Sequence, residues 1–295
     1  MLRFKAHLDA RDVLPLVAWL QQTARGRPAL VWSEYLGPRT RQLLREAGVS
    51  YGDATGNLRV ALDRPAVFLE ATGAASDPRA RRRPLRSLKG PAASRAVRAL
   101  CDFREPYGVR ELASRSGTSL GTLARVVDLL DREAVLVRDA AGRIVEVLVP
   151  ELIRRWAEDY ELTKTNRVRY CLEPRGLEAL TDRLRKAGSD YCLSASLAAA
   201  RRAPVAAPRL GVVYVEDADE AMQSLGLRAV DAGANVLLAM PYDPVVFERT
   251  WEADGLRFAA LSQVAVDLLT SPGRGPAEAD ALLEFMAAKP GSWRA

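Results

Sequence analysis

A single histidine, His7, stands in a chain of 295 residues. Zinc sites built on several histidines and the HExxH metalloprotease helix are thereby excluded. A Ser-His-Asp or Cys-His catalytic arrangement would have to rest on His7 alone, and a lone histidine near a terminus reads as a surface residue. Cysteine is as scarce: Cys101, Cys171 and Cys192 are scattered without CxxC spacing. An odd count with no secretory leader argues for reduced thiols and not for a disulfide frame. Long hydrophobic runs are missing too; stretches such as Val264 to Leu269 are far too short to cross a bilayer. The N-terminus lacks a basic stretch followed by an apolar signal core, so a cytoplasmic protein without membrane attachment is expected. No GxGxxG, Walker A or kinase element occurs, and neither a nucleotide cofactor nor a metal is expected.

What is present is an ordinary globular composition, 48% hydrophobic and 27% charged, in a chain long enough for two or three domains. The net charge is +6 and unevenly placed. Between Arg79 and Pro150 there are 15 Lys and Arg against 8 Asp and Glu, an excess of +7, so the rest of the chain sums to −1. A basic excess confined to one region is the footprint of an anionic partner.

The N-terminal part reads as a small α/β domain over residues 1–78. A helix around Val13 to Thr23 carries Val13, Leu16, Val17 and Leu20 at helical spacing. A strand over Ala29 to Trp32 and a helix over Arg39 to Ala47, opened by Pro38 and closed by Gly48, follow. Short β segments are expected at Val49 to Tyr51, Leu58 to Leu62 and Ala66 to Leu69, with turns at Gly56-Asn57 and Arg64-Pro65. Residues 79–90 form a basic linker without apolar periodicity, holding Arg81, Arg82, Arg83 and Arg86. Its place directly before the next segment suits an arm that touches phosphate.

Residues 91–150 are the most informative. A helix over Ala96 to Phe103 is broken by Pro106-Tyr107-Gly108, and Val109, Leu112 and Ala113 mark a short second helix. Gly117 turns the chain, Thr118 or Ser119 caps a third helix, and Leu120, Leu123, Val127 and Leu130 form its apolar stripe. Gly121, Thr122, Arg125, Asp128 and Arg132 occupy the opposite face. Two β-type runs, Val135 to Val137 and Ile144 to Val147, flank a turn at Asp139 to Arg143 in the position of a wing. Beyond Pro150, an amphipathic helix (Leu152 to Tyr160) leads into a second α/β region over 151–295. Buried strands are expected there at Gly211 to Val215, Asn235 to Ala239 and Leu256 to Leu261. Helices are expected at Ser194 to Arg202, Ala218 to Leu225, Ser262 to Leu269 and Pro276 to Ala288.

Two other constellations allow different readings. Asp53 and Glu70, at the ends of short strands, could serve a metal-dependent nuclease, but no lysine stands two residues after Glu70 and Asn57-Leu58-Arg59 is only a degraded acidic-x-Lys element. Asp53 and Gly56-Asn57 are read as turn residues. The glycines around Arg274 could hold an anion on backbone amides, or simply join two helices. A protein-interaction adaptor, docking a partner through its terminal domains, is the third functional class.

The segment Val109 to Leu130 resembles the helix-turn-helix of winged regulators. The runs Val212-Val-Tyr-Val215, Asn235-Val-Leu-Leu, Pro241-Tyr-Asp243-Pro-Val-Val-Phe247 and Ser262-Gln263 through Asp267, Gly273, Gly275, Ala279 and Leu282 resemble AbiEi-type regulators, the antitoxins of type IV toxin–antitoxin systems. Tyr35-Leu36, Arg41, Leu44 and Gly48 through Asp53, Gly56 and Asn57 are similar to the leading segment of longer versions. The resemblance implies a transcriptional regulator whose winged helix binds operator repeats, often in its own promoter. It also implies opposition to a nucleotidyltransferase toxin without an obligatory complex. This chain departs from compact antitoxins by placing an α/β domain and an arginine linker ahead of the winged helix. The combined expectation is a mixed α/β, three-part binder of double-stranded DNA, not an enzyme, able to act as a homodimer. Thr118, Ser119, Thr122 and Arg125 would enter the major groove, while Arg143 and Arg81, Arg82, Arg83 and Arg86 would meet phosphates.

Overall fold

The computed structural model describes residues 1–24, 26–79, 85, 87–186 and 190–295. Helices and mixed sheets make the chain an α/β protein. It divides into two compact units, Met1–Arg86 with Val127–Arg138, and Ser87–Val126 with Asp139–Ala295.

The first unit holds β1 (Leu2–Phe4), α1 (Val13–Ala24), β2 (Leu30–Ser33), α2 (Pro38–Glu46), β3 (Ser50–Asp53), β4 (Leu58–Asp63) and β5 (Ala66–Ala71). They build a sheet in sequence order, β1, β2 and β3 parallel and β3, β4 and β5 antiparallel. Val13, Leu16, Leu20 and Ala24 bury one stripe of α1, and three of them pack with Val31, Leu36, Leu44 and Tyr51 in the core. Strand β1 was not foreseen: it is three residues long, and Leu2 and Phe4 stay exposed. Leu2, Arg3 and Phe4 alternate apolar with polar, but three residues are too short a run to be read as a strand.

The second unit opens with α3 (Pro91–Asp102) and α4 (Val109–Ser116). Helix α5 (Leu120–Arg132) contains the division between units, and β6 (Leu136–Arg138) belongs to the first. Then come β7 (Ile144–Val147), α6 (Val149–Ala157), α7 (Leu162–Thr165), β8 (Arg167–Leu172), α8 (Leu177–Lys186), β9 (Tyr191–Ser194), α9 (Ala195–Ala199) and β10 (Gly211–Val215). The chain continues through α10 (Ala218–Leu225), β11 (Arg228–Ala229), β12 (Val236–Met240), β13 (Trp251–Ala253), β14 (Leu256–Phe258), α11 (Leu261–Leu269) and α12 (Gly275–Ala288). The seven-stranded sheet runs β11-β8-β12-β10-β9-β14-β13. At its centre β10 and β12 lie parallel and almost wholly buried, which is why they read as continuous apolar runs. The expected third strand ends early: β14 stops at Phe258 and Leu261 already begins α11.

Helix α11 is buried from Leu261 to Leu268, its Ser262, Gln263 and Asp267 included, and packs against α3, α6, α9 and α12. A helix hydrophobic all round is a core helix; its three polar residues must therefore find partners inside. Arg98 of α3 has no exposed surface. Its Nε donates to Asp102 Oδ2 at 3.0 Å, Nη1 to the Val245 carbonyl at 3.2 Å and Nη2 to the Glu248 carbonyl at 2.9 Å. Asp102 also accepts from Arg249 Nε at 2.8 Å and Ser262 Oγ at 2.5 Å. Helix α3, expected in a module ending at Pro150, is thus part of the same compact unit as the C-terminal sheet. The bonds responsible join residues about 150 positions apart, a separation no local pattern reports.

Removing the guanidinium would leave Asp102 and two carbonyls short of a buried donor. Arg98→Ala is expected to cost about 3–5 kcal/mol in urea unfolding at neutral pH. An unchanged unfolding midpoint would show that the pair contributes nothing to this core.

Candidate nucleic-acid interface

Helix α4 ends at Gly117, whose φ of 62° is a left-handed conformation that glycine adopts without strain. Ser116 Oγ accepts from the Thr118 amide at 3.3 Å, and Ser119 Oγ accepts from the Thr122 amide at 3.2 Å, capping α5. Three residues therefore separate the helices, and each is fixed by a specific bond or dihedral. On α5 the buried stripe is Leu123, Val126, Val127, Leu129 and Leu130. Leu120, expected to begin that stripe, is instead 45% exposed. Ser119, Gly121 and Arg125 are exposed and Thr122 is half-buried.

Thr118 departs from expectation. It is buried, and its hydroxyl has no hydrogen-bond partner among the described residues, so it does not belong to the exposed face. The reason lies in the turn: with Gly117 left-handed and Ser119 as the cap, the intervening side chain is directed inward. Arg125 donates from Nε to the Gly121 carbonyl at 3.2 Å and from Nη2 to Thr122 Oγ1 at 3.4 Å. Ser119 Oγ donates in turn to Thr122 Oγ1 at 3.0 Å. The structure thus brings Ser119, Thr122 and Arg125 into one surface cluster.

Strands β6 and β7 are joined by a turn that Asp139 holds. Its Oδ1 accepts from the amides of Ala141 at 3.0 Å and Arg143 at 2.8 Å, and Gly142 takes φ of 79°. Arg143 is exposed at this turn. Arg81, Arg82, Arg83 and Arg86 lie outside the described residues. The basic excess is partly internal: Arg98 is buried, Arg95 bonds Asp243 Oδ2 at 3.0 Å, and Arg138 pairs with Asp128 at 2.6 Å. Arg115 stacks on Phe103 with 3.8 Å to the ring centroid, steadying the approach to α4. Arg110, which the sequence reading passed over, is an exposed cation on α4; its neighbours Val109 and Leu112 drew attention as packing residues.

The N-terminal carboxylates serve other ends. Asp53 is buried and accepts from the amides of Leu36, Thr55 and Asn57 and from the side chains of Thr55 and Asn57. Burial pushes its pKa up, but the bonds from Thr55, Asn57 and Leu36 outweigh it and hold the carboxyl below its usual range. Glu70 pairs with Arg45. A cleft of about 290 Å³ near this turn is lined by Glu34, Thr55, Asp77 and Arg79 among others. Among the described residues, no group of three His, Cys, Asp or Glu is placed to hold a metal ion, and no helix is long and apolar enough to cross a membrane.

The C-terminal residues that carry the family resemblance meet inside the core. Asp267 accepts from Ser194 Oγ at 2.5 Å, Tyr160 Oη at 2.7 Å, Gln263 Nε2 at 2.9 Å and Tyr214 Oη at 3.0 Å. Tyr160 is itself met by Asn166 Nδ2 at 3.0 Å. Burial lifts the Asp267 pKa to about 6 against the bonds that lower it, and pushes the Tyr160 and Tyr214 hydroxyls well up. Ser262, Gln263 and Asp267 are thus internal ties and not a ligand-facing set. Compared with known proteins, the chain matches no family model, no curated protein and no solved structure.

The raised pKa fixes the sign of a pH dependence. Folding favours the protonated Asp267, so its contribution is most favourable below the unfolded value near 3.8 and is lost as pH rises to about 6. Asp267→Asn removes that loss. Its stability relative to the parent should therefore rise by about 2 kcal/mol between pH 4 and pH 7 in denaturant titrations. A difference independent of pH would show that Asp267 titrates normally.

Proposed function

We propose that the chain binds duplex DNA as a sequence-reading regulator, with α5 as the helix presented to the major groove. The observation that carries this reading is the first turn of α5. It follows a three-residue turn, buries Leu123 and Val126 behind it, and exposes Ser119, Gly121 and Arg125 in front. Small residues there allow a helix to approach base edges closely, and an arginine one turn further on reaches a guanine or a phosphate. Arg143 at the following turn and Arg110 on α4 are exposed cations suited to backbone phosphates. The arginines of residues 79–90 supply an arm of the same sign. Ser119 and Thr122, bonded to each other, act in this reading mainly by holding Arg125 in place.

The narrower role that the family resemblance implies, an antitoxin controlling its own operon, is proposed on the residues of that resemblance alone. Rescue of growth when the chain is co-expressed with a neighbouring nucleotidyltransferase would support it; unrelieved toxicity would leave a solitary regulator.

Gel-shift titrations on the promoter of its own gene and on a shuffled duplex, at two salt concentrations, test DNA binding. Neutralising four to six phosphates gives a slope of log affinity on log salt of roughly −4 to −5. Arg125→Ala should weaken promoter binding about 10-fold or more and reduce the preference over the shuffled duplex. Replacing Arg81, Arg82 and Arg83 by alanine should flatten the salt slope while keeping the preference. Equal affinity for both duplexes, or none for either, overturns the reading.

A further inference from the structure

Leu120 is the one large side chain on the outer surface of α5 that is apolar and exposed, and neither the helix nor its core accounts for it. The buried stripe is complete without it: Leu123, Val126, Val127 and Leu130 have no exposed surface, and Leu129 retains 4%. Leu120 lies three residues before Leu123, where an extension of the stripe would place a core residue, yet it is 45% exposed. At 100° per residue it stands on one side of the line through Gly121 and Arg125, and Thr122 stands on the other.

Its surroundings leave room for a ligand surface. Gly121 beside it is exposed, and a Cβ built there would meet nothing within 4 Å. The polar groups of the turn are engaged with one another, Ser119 with Thr122 and Arg125 with both Thr122 and the Gly121 carbonyl. Leu120 is thus exposed beside the bare backbone of Gly121, on the flank of the face that carries Arg125. On the major-groove edges of the four base pairs, the one apolar group is the 5-methyl of thymine. We propose that Leu120 packs on a thymine methyl and specifies an A·T pair beside the base that Arg125 contacts.

This inference rests on the duplex-binding reading, and its test separates the two. Duplexes are first selected from a randomised pool with the full chain. In the tightest one, each thymine is then replaced in turn by uracil, which removes the methyl and keeps every hydrogen-bonding group. At one position the replacement should weaken the parent protein roughly three- to tenfold, as loss of one buried methyl contact predicts. Leu120→Ala should bind the thymine duplex more weakly by a similar factor and show no further loss on uracil. Leu120→Met, which keeps an apolar side chain, should restore the sensitivity to the methyl. Indifference of the parent to every uracil, or a uracil effect that persists in Leu120→Ala, overturns the role of Leu120 alone. Failure to enrich any duplex overturns the DNA-binding reading and this inference with it.

Discussion

A guanidinium with no access to water organises the second unit. The charge of Arg98, buried without water, must be met inside the protein. It is met by Asp102 one turn along α3 and by the carbonyls of Val245 and Glu248. Asp102 then draws in Arg249 and Ser262. Val245, Glu248 and Arg249 belong to one stretch after β12 and Ser262 to α11, so α3 can take its place only when those two segments are folded. The network continues through Gln263 to Asp267, Tyr160 and Tyr214. Broken pairs in such a network are costly, which confers a single arrangement on a helix whose apolar surface alone would fit several.

This constraint gives α4 a fixed base within its own unit. Arg294 donates to the carbonyls of Leu100, Cys101 and Phe103 at the end of α3 and pairs with Glu105. Phe103 lies under both Arg115 and Arg249. Cations at a helix C-terminus satisfy its last carbonyls and complement its dipole. The start of α4 is therefore placed by the C-terminal segment, and the bonded turn at Gly117 carries that placement on to α5. Several arginines here, Arg95, Arg98 and Arg138 among them, are held in ion pairs, so a regional count of charge overstates the cationic surface.

Much of this was legible where the signal is local. The stripe of α1, the Pro38 start of α2, the buried strands β10 and β12, and Gly117 all stand in short windows of sequence. Local periodicity misjudged Leu120 because spacing alone does not tell where a core ends. Thr118 was misplaced because a three-residue turn directs its middle side chain by dihedral angles that residue type does not specify. Strand β1 escaped notice because three residues are too short a run to read, and β8 because Arg167 and Arg169 break its apolar pattern. The partners of Arg95 and Arg98 were out of reach because they lie roughly half the chain away. The run around Ser262 and Asp267 was visible as a pattern, and only the packed core gives it a physical role.

The account turns on whether the first turn of α5 and the turn at Asp139 form one DNA-facing surface. Amide hydrogen exchange of the full chain, with and without the promoter duplex, tests this most directly. The account predicts slowed exchange in residues 119–125 and 139–143 when duplex is added, with the core strands β10 and β12 unchanged. Duplex-dependent protection confined to the N-terminal sheet, or absent from both segments, would contradict it.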